Sequence, residues 1–286
     1  MPTFTNQALL SFNGILYPSN VVTGEYTQSL TMTKLPIDDT YTPDGSVTYI
    51  ISIANNGACN MTNLTLTDDL GAYSFSGEVL VPLTLNADSV TYFVNGVLQP
   101  ADALTITAGP PFIASGIDVP AGGNAIIAYE AVANEFASGA EGAVILNTAT
   151  LSGDDMQTTI SDTATVHAAS TPQLAITKAL FPETITSCEP IRYTFLIQNS
   201  GNTPVVVTDD LLLFDTFQPR LTNISVTLNG VPLVEGIHYQ YDEETGSFTT
   251  LPGALPVEAA EFIQNPVTGV WTVQPGQAVL VVTGTI

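Results

Sequence analysis

The 286-residue chain carries 27 acidic against four basic side chains, a formal net charge of −23. Four cations cannot build the basic stripe that nucleic acid demands, and a strongly anionic chain is repelled by anionic lipid, so neither partner is expected. Apolar content of 45% excludes a disordered chain and supplies two cored domains, while no apolar run reaches the roughly 18 residues a membrane-spanning helix needs.

The chain opens with MPTFTNQ, which has no basic stretch followed by an apolar core, so no signal peptide is expected. Either a leader was removed, or the protein leaves its cell by another route, for which lysis of the producing cell suffices. Residues 1–28 read as an arm of two strands, NQALLSFNG (Asn6 to Gly14) and NVVTGEYTQSL (Asn20 to Leu30), running into LTMTK.

From there helix signals nearly vanish. Thr, Val and Ile fill short alternating runs bounded by Gly, Pro, Asn and Asp, the pattern of strands with one buried side. In VTYIISI one face takes Val47, Tyr49, Ile51 and Ile53. The first domain is assigned to residues 29–170 and the second to 171–286. The fold class expected is all-β: two tandem immunoglobulin-like β-sandwiches, the second incomplete, preceded by a donor-strand arm.

The two domains are copies of one repeat. Lys34 and Lys178, Tyr49 and Tyr193, Asn55 and Asn199, and Gly57 and Gly201 all share one offset of 144 residues. TDDL (Thr67 to Leu70) then matches FDTF (Phe214 to Phe217) after a three-residue insertion. Asn95-Gly96 and Asn229-Gly230 read as two-residue hairpin turns. The first copy continues through AIIAYEAVA into VILNTATLSG and TTISDTATV, whereas the second reaches AVLVVTGTI at Ile286 with no counterpart of that last pair. NQALLSF in the arm shares Asn, Ala, Leu and Ser in register with NTATLSG. The arm is therefore expected to complete the second sandwich of a neighbouring copy, with Asn6, Ala8, Leu10 and Phe12 as the polymerisation residues, Ala8, Leu10 and Phe12 facing one way. Pairing of the arm within its own chain is the competing reading.

Lys34 and Lys178 are the only lysines and occupy one repeat position. Near each the repeat places an acid, Asp68 or Asp215, and an Asn from the closing strand, Asn147 or Asn6 of a neighbour. Lys, Asn and a carboxylic acid are the parts of a self-formed isopeptide bond: a neutral amine attacks the amide carbonyl, the acid polarises it and ammonia leaves, with burial supplying the neutral forms. The plainer reading makes each Lys an ion-pair partner at a strand end. Cys59 and Cys188 sit at non-equivalent places in the two copies, leaving free thiols or a bond between subunits open.

ITK at the first strand, N-x-G closing the next (NNG, NSG), a TD-containing strand end and NTATLSG at the last strand together resemble the bacterial surface repeat known as domain of unknown function eleven. That resemblance implies tandem β-sandwich modules of surface or secreted proteins. A leaderless chain with two repeats is similar to the appendage proteins of clostridial endospores, which implies release by mother-cell lysis to an extracellular or spore-surface site.

The function expected is a structural filament subunit whose partners are copies of itself. The alternative is a surface adhesin, for which Tyr73, Phe75 and Phe112 are candidate loop aromatics. No enzymatic motif or cleft-bound carboxylate pair stands out, so no enzyme beyond self-linkage and no cofactor are expected. Asp38, Asp39 and Asp44 lack the spacing of an EF-hand, and His167 and His238 lack partners at metal-ligand spacing.

Overall fold

The computed structural model describes residues 3–25, 29–154, 156–185 and 189–286. It contains no α-helix among those residues; besides one short 3-10 helix at Ala101–Ala103 they form strands, turns and loops. Two units are delimited. One comprises residues 1–137 and 144–167, the other residues 138–143 and 168–286.

The arm is a hairpin. Its strands are β1 (Thr3–Asn6), β2 (Leu9–Phe12), β3 (Ile15–Pro18) and β4 (Val22–Glu25). β2 pairs with β3 and β1 with β4, both antiparallel. Asn13 and Gly14, both at positive φ, make the tight turn that suits the right-handed strand twist. Ser19 bridges the two halves, with its N–H bonded to the Ala8 carbonyl at 2.8 Å and its Oγ accepting from the Ala8 N–H at 3.0 Å.

The remaining strands of the first unit are β5 (Leu30–Pro36), β6 (Thr40–Tyr41), β7 (Ser46–Asn55), β8 (Met61–Asp68), β9 (Tyr73–Phe75), β10 (Glu78–Leu80), β11 (Leu83–Val94), β12 (Val97–Leu98), β13 (Thr105–Thr107), β14 (Phe112–Val119), β15 (Asn124–Ala133), β16 (Val144–Ser152) and β17 (Ile160–Ala168). They form a sandwich. One sheet runs β12-β11-β15-β7-β5 and the other β13-β14-β8-β16-β17-β6. Alternation decides what each strand buries: Val47, Tyr49, Ile51 and Ile53 of β7 and Ala125, Ile127, Tyr129 and Ala131 of β15 all point into the core.

The second unit has β18 (Leu174–Phe181), β19 (Pro190–Asn199), β20 (Phe214–Thr216), β21 (Thr222–Leu228), β22 (Val231–Pro232), β23 (Tyr239–Asp242), β24 (Ser247–Thr250), β25 (Glu261–Gln264), β26 (Trp271–Gln274) and β27 (Gly276–Thr285). Its sheet β22-β21-β27-β19-β18 repeats the first sheet of the first unit strand for strand. The N-x-G motif works alike in both copies. Asn55 Oδ1 accepts from the Gly57 N–H, and Asn199 Oδ1 from the Gly201 N–H, while each Nδ2 donates to two main-chain carbonyls.

The opposite sheets differ. The second unit has only β20-β24-β23 there. The pairing Asp215↔Phe248 on β20 and β24 matches Asp68↔Phe112 on β8 and β14. Beyond β8 the first unit adds the hairpin β16–β17, but β20 has no strand on its other edge among the described residues. The second unit still holds a core around Phe195, Phe217, Phe248 and Leu280.

Candidate functional site

Lys34 reaches the core because LTMTK alternates. Leu30, Met32 and Lys34 face inward from β5, and Lys34 is 1% exposed. A lysine in that position must find an anion, and Asp68 at the end of β8 supplies it: Nζ lies 2.7 Å from Oδ2, both side chains fully buried. Tyr129 pairs directly with Tyr49 across β15 and β7, and the two rings stack with centroids 5.4 Å apart. The Tyr129 hydroxyl donates to Asp68 Oδ2 at 2.6 Å and accepts from Asn147 Nδ2 at 3.0 Å. Lys34, Asp68, Tyr129 and Asn147 thus form one continuous buried hydrogen-bond chain.

Its surroundings are apolar or pinned. Phe112 packs edge-on to Tyr129, and the Lys34 ammonium sits 5.0 Å above the Tyr49 ring. Asp68 Oδ1 accepts from the Leu70 N–H, and Asp69 Oδ1 takes the Thr148 N–H, holding β16 beside β8. Asp162 of β17 accepts the Lys34 backbone N–H at 2.7 Å. Among the described residues, neither Asn147 Oδ1 nor the Tyr49 hydroxyl, both buried, has a well-formed hydrogen bond. Burial lowers the Lys34 pKa from 10.5, outweighing the opposing pull of Asp68, so the neutral amine becomes accessible. Burial also drives Tyr129 well above 10, assisted by the Asp68 charge.

The second copy of the site is open. Lys178 Nζ lies 2.5 Å from Asp215 Oδ2, but its side chain is 41% exposed. The Tyr193 ring lies 4.8 Å from the ammonium, with Phe195 and Phe217 beyond it. Val282, paired with Tyr193, stands where the first copy has Tyr129.

The structure brings Lys34, Asp68 and Asn147 together, and Lys178 to Asp215. Asn6, Ala8, Leu10 and Phe12 lie on the arm hairpin, all exposed. Sequence reasoning passed over Tyr129 and Asp162. Tyr129 was visible in the alternation of AIIAYEAVA, where it shares the inward face with Ile127 and Ala131. Of the loop aromatics an adhesin would use, Phe112 is fully buried and the half-buried Tyr73 donates its hydroxyl to the Phe136 carbonyl. His167 is exposed on β17, and His238 Nδ1 accepts from the Val234 N–H. Asp38, Asp39 and Asp44 are exposed. Cys59 is an exposed free thiol, and Cys188 lies outside the described residues.

No family model and no curated protein matches this sequence. Solved structures that resemble it include the major pilin subunit of Bacillus cereus (11% identity, TM-score 0.39, covering 96% of this chain and 73% of that one). Another is the pilus backbone of Streptococcus pneumoniae (13% identity, TM-score 0.36, 87% and 55%). A third is the collagen-binding subdomain of an Enterococcus faecalis surface protein (12% identity, TM-score 0.32, 50% and 99%). Likeness at this level carries none of those proteins' properties to this chain.

Proposed function

We propose that this chain is the structural subunit of an extracellular or spore-surface filament, assembled head to tail by docking the N-terminal arm of one copy onto the second unit of the next. One observation carries the reading. Among the described residues, the arm is a hairpin exposed along its length and patterned like β16–β17, and the second unit has an open edge at β20 where β16–β17 lies in the first.

The register is specific. Phe4, Asn6, Ala8 and Leu10 fall on the places of Ile145, Asn147, Ala149 and Leu151, the inward face of β16. Asn147 faces Ala164 across its hairpin, and Asn6 faces Val22 across the arm, so Val22 and Gly24 take the inward places of Ala164 and Val166. Phe12 falls at Gly153, just past the end of β16. Phe4, Leu10 and Val22 are 58%, 68% and 55% exposed before docking. Burying a large apolar side chain fully stabilises by about 1.5–3 kcal/mol, and the new strand adds main-chain hydrogen bonds. A hairpin formed beforehand loses less conformational freedom on docking than an unstructured arm. A charge of −23 per copy opposes lateral aggregation and leaves end-to-end contact favoured.

The docked arm delivers Asn6 to the Lys178–Asp215 pair, as β16 delivers Asn147 to Lys34 and Asp68. The neutral lysine then attacks the Asn carbonyl carbon, the carboxyl polarises the amide, and ammonia leaves. The Lys34–Asn147 bond locks the first sandwich; a Lys178–Asn6 bond would make the filament covalent. Each bond removes about 17 Da, the mass of one ammonia, as the lysine amine displaces the amide nitrogen. The test combines electron microscopy of the purified protein with and without residues 1–28 and the intact mass of the denatured chain. Filaments from the full chain, none from the truncated one, and a mass low by one ammonia are expected. Filaments of equal diameter from the truncated chain would falsify arm donation, and an unmodified mass would remove the Lys34 bond.

A further inference from the structure

We propose that Tyr129 is a catalytic residue of bond formation in the first unit, carrying a proton from Asp68 to the departing nitrogen of Asn147. This rests on the Lys34–Asn147 linkage proposed above. In that reaction Asn147 Nδ2 is the leaving group, and an amide nitrogen leaves only once protonated. Asp68 is the obvious proton source, but what Asn147 Nδ2 touches is the Tyr129 hydroxyl, at 3.0 Å, and that hydroxyl already donates to Asp68 Oδ2 at 2.6 Å. The geometry is that of a relay with one oxygen between acid and leaving group.

The protons balance. Lys34 gives one proton to Asp68 over the 2.7 Å contact and its nitrogen attacks the Asn147 carbonyl carbon. Tyr129 passes its proton to Nδ2 and is refilled from Asp68. The carbon–nitrogen bond to Nδ2 breaks and ammonia leaves. The second proton shed by the lysine nitrogen stays on Asp68, and a secondary amide remains. Tyr129 is unchanged at the end. Its buried phenol, held well above 10, stays protonated until the tetrahedral intermediate calls for the proton.

The second unit lacks this group. Val282 occupies the position opposite Tyr193, so among the described residues the Lys178–Asp215 pair has an amine and an acid but no counterpart of the Tyr129 hydroxyl. Linkage of Asn6 at that joint should therefore lag behind linkage of Asn147.

The experiment follows intact mass over time in full-length protein made by cell-free translation. In chains not joined to a neighbour, wild type should lose one ammonia and Lys34→Met none. Tyr129→Phe, which keeps the ring and its stacking, should close about 100-fold more slowly or worse, the scale of general acid catalysis, with a wild-type circular dichroism spectrum. Tyr129→Phe closing at the wild-type rate overturns the relay and leaves the bond standing; an unmodified wild-type mass overturns the bond itself. Should Tyr129→Phe not fold, 3,5-difluorotyrosine at position 129 decides the matter. Bringing the phenol's pKa nearer the working pH should speed closure several-fold, and an unchanged or slower rate overturns the relay.

Discussion

β5 and β18 are one strand in two settings. Leu30 and Met32 on β5 are 4% and 7% exposed, whereas their equivalents Leu174 and Ile176 on β18 are 42% and 56% exposed. Each strand carries a lysine paired to an aspartate at the same repeat position. In the first unit the pair is sealed beneath β16–β17 and reaches Asn147 through Tyr129; in the second the lysine is 41% exposed, with no side-chain amide bonded to the pair among the described residues. Neither lysine nor aspartate differs in type. A covering hairpin and the Tyr129 hydroxyl separate the buried site from a surface ion pair: the cover buries the amine and brings Asn147, and Tyr129 joins acid to amide.

Supplying the missing cover should narrow the difference. Fusing residues 3–28 after Ile286 through a flexible linker, with the native arm deleted, should give a monomer whose second unit melts higher, by about 10 °C for a gain of a few kcal/mol in a unit of this size. Size-exclusion chromatography and calorimetry report both changes. No rise over the arm-deleted chain would break the alignment of the arm with β16.

The two lysines should also cost differently when removed. Lys34→Met strands a buried carboxylate and should destabilise the first unit by about 3–5 kcal/mol, besides abolishing its cross-link. Lys178→Met breaks a half-exposed pair, worth at most about 1 kcal/mol in the monomer. Denaturant melts of arm-deleted protein would show this asymmetry, and equal costs would contradict the contrast between closed and open sites.

On the arm, inward and outward faces should separate. Leu10→Arg places a cation on the inward face and forfeits a buried leucine, raising the protein concentration needed for assembly about 10- to 100-fold. Leu9→Arg, on the outer face, should change it little. Sedimentation of filaments against concentration measures both, and a reversed order would mean the arm docks one residue out of register.

The smallest effect is at alkaline pH. Tyr41 is pushed up to about 12 by burial, and burial also raises Tyr49 and Tyr129. These phenols stay protonated in the folded first unit after the unfolded chain begins to ionise near 10, so stability is complete below pH 10 and falls as pH climbs toward 12. Once linked, Lys34 is an amide and drops out of the titration. Tyr193 and Tyr239 in the second unit are also raised but are less enclosed, so its loss should be shallower. Calorimetry at pH 8 and 11 on the fused monomer compares the two transitions, and a steeper loss in the second unit would reverse the assignment.

Much of this was legible in the chain. Strict alternation in LTMTK and VTYIISI set which side chains face inward, since successive residues in a strand take opposite faces. Asn-Gly at 95–96 and 229–230 announced hairpin turns, and all four residues adopt positive φ. The repeat alignment, with its three-residue insertion, placed each lysine near its copy's aspartate, and the Lys34–Asp68 and Lys178–Asp215 contacts are those pairs. Asn147 was readable for the same reason.

What the sequence by itself determined is therefore what local rules control: strand faces, turns, the repeat, and the pairing of one lysine with one acid per copy. Only the tertiary structure decided the register in which the arm's two strands pair with each other, that Asp162 caps the β5 edge, and that Tyr129 stands between Asp68 and Asn147. Those facts depend on which strands become neighbours across a sandwich. Such contacts join residues far apart in the chain, and their cost and gain are set by packing and desolvation rather than by any neighbour in sequence.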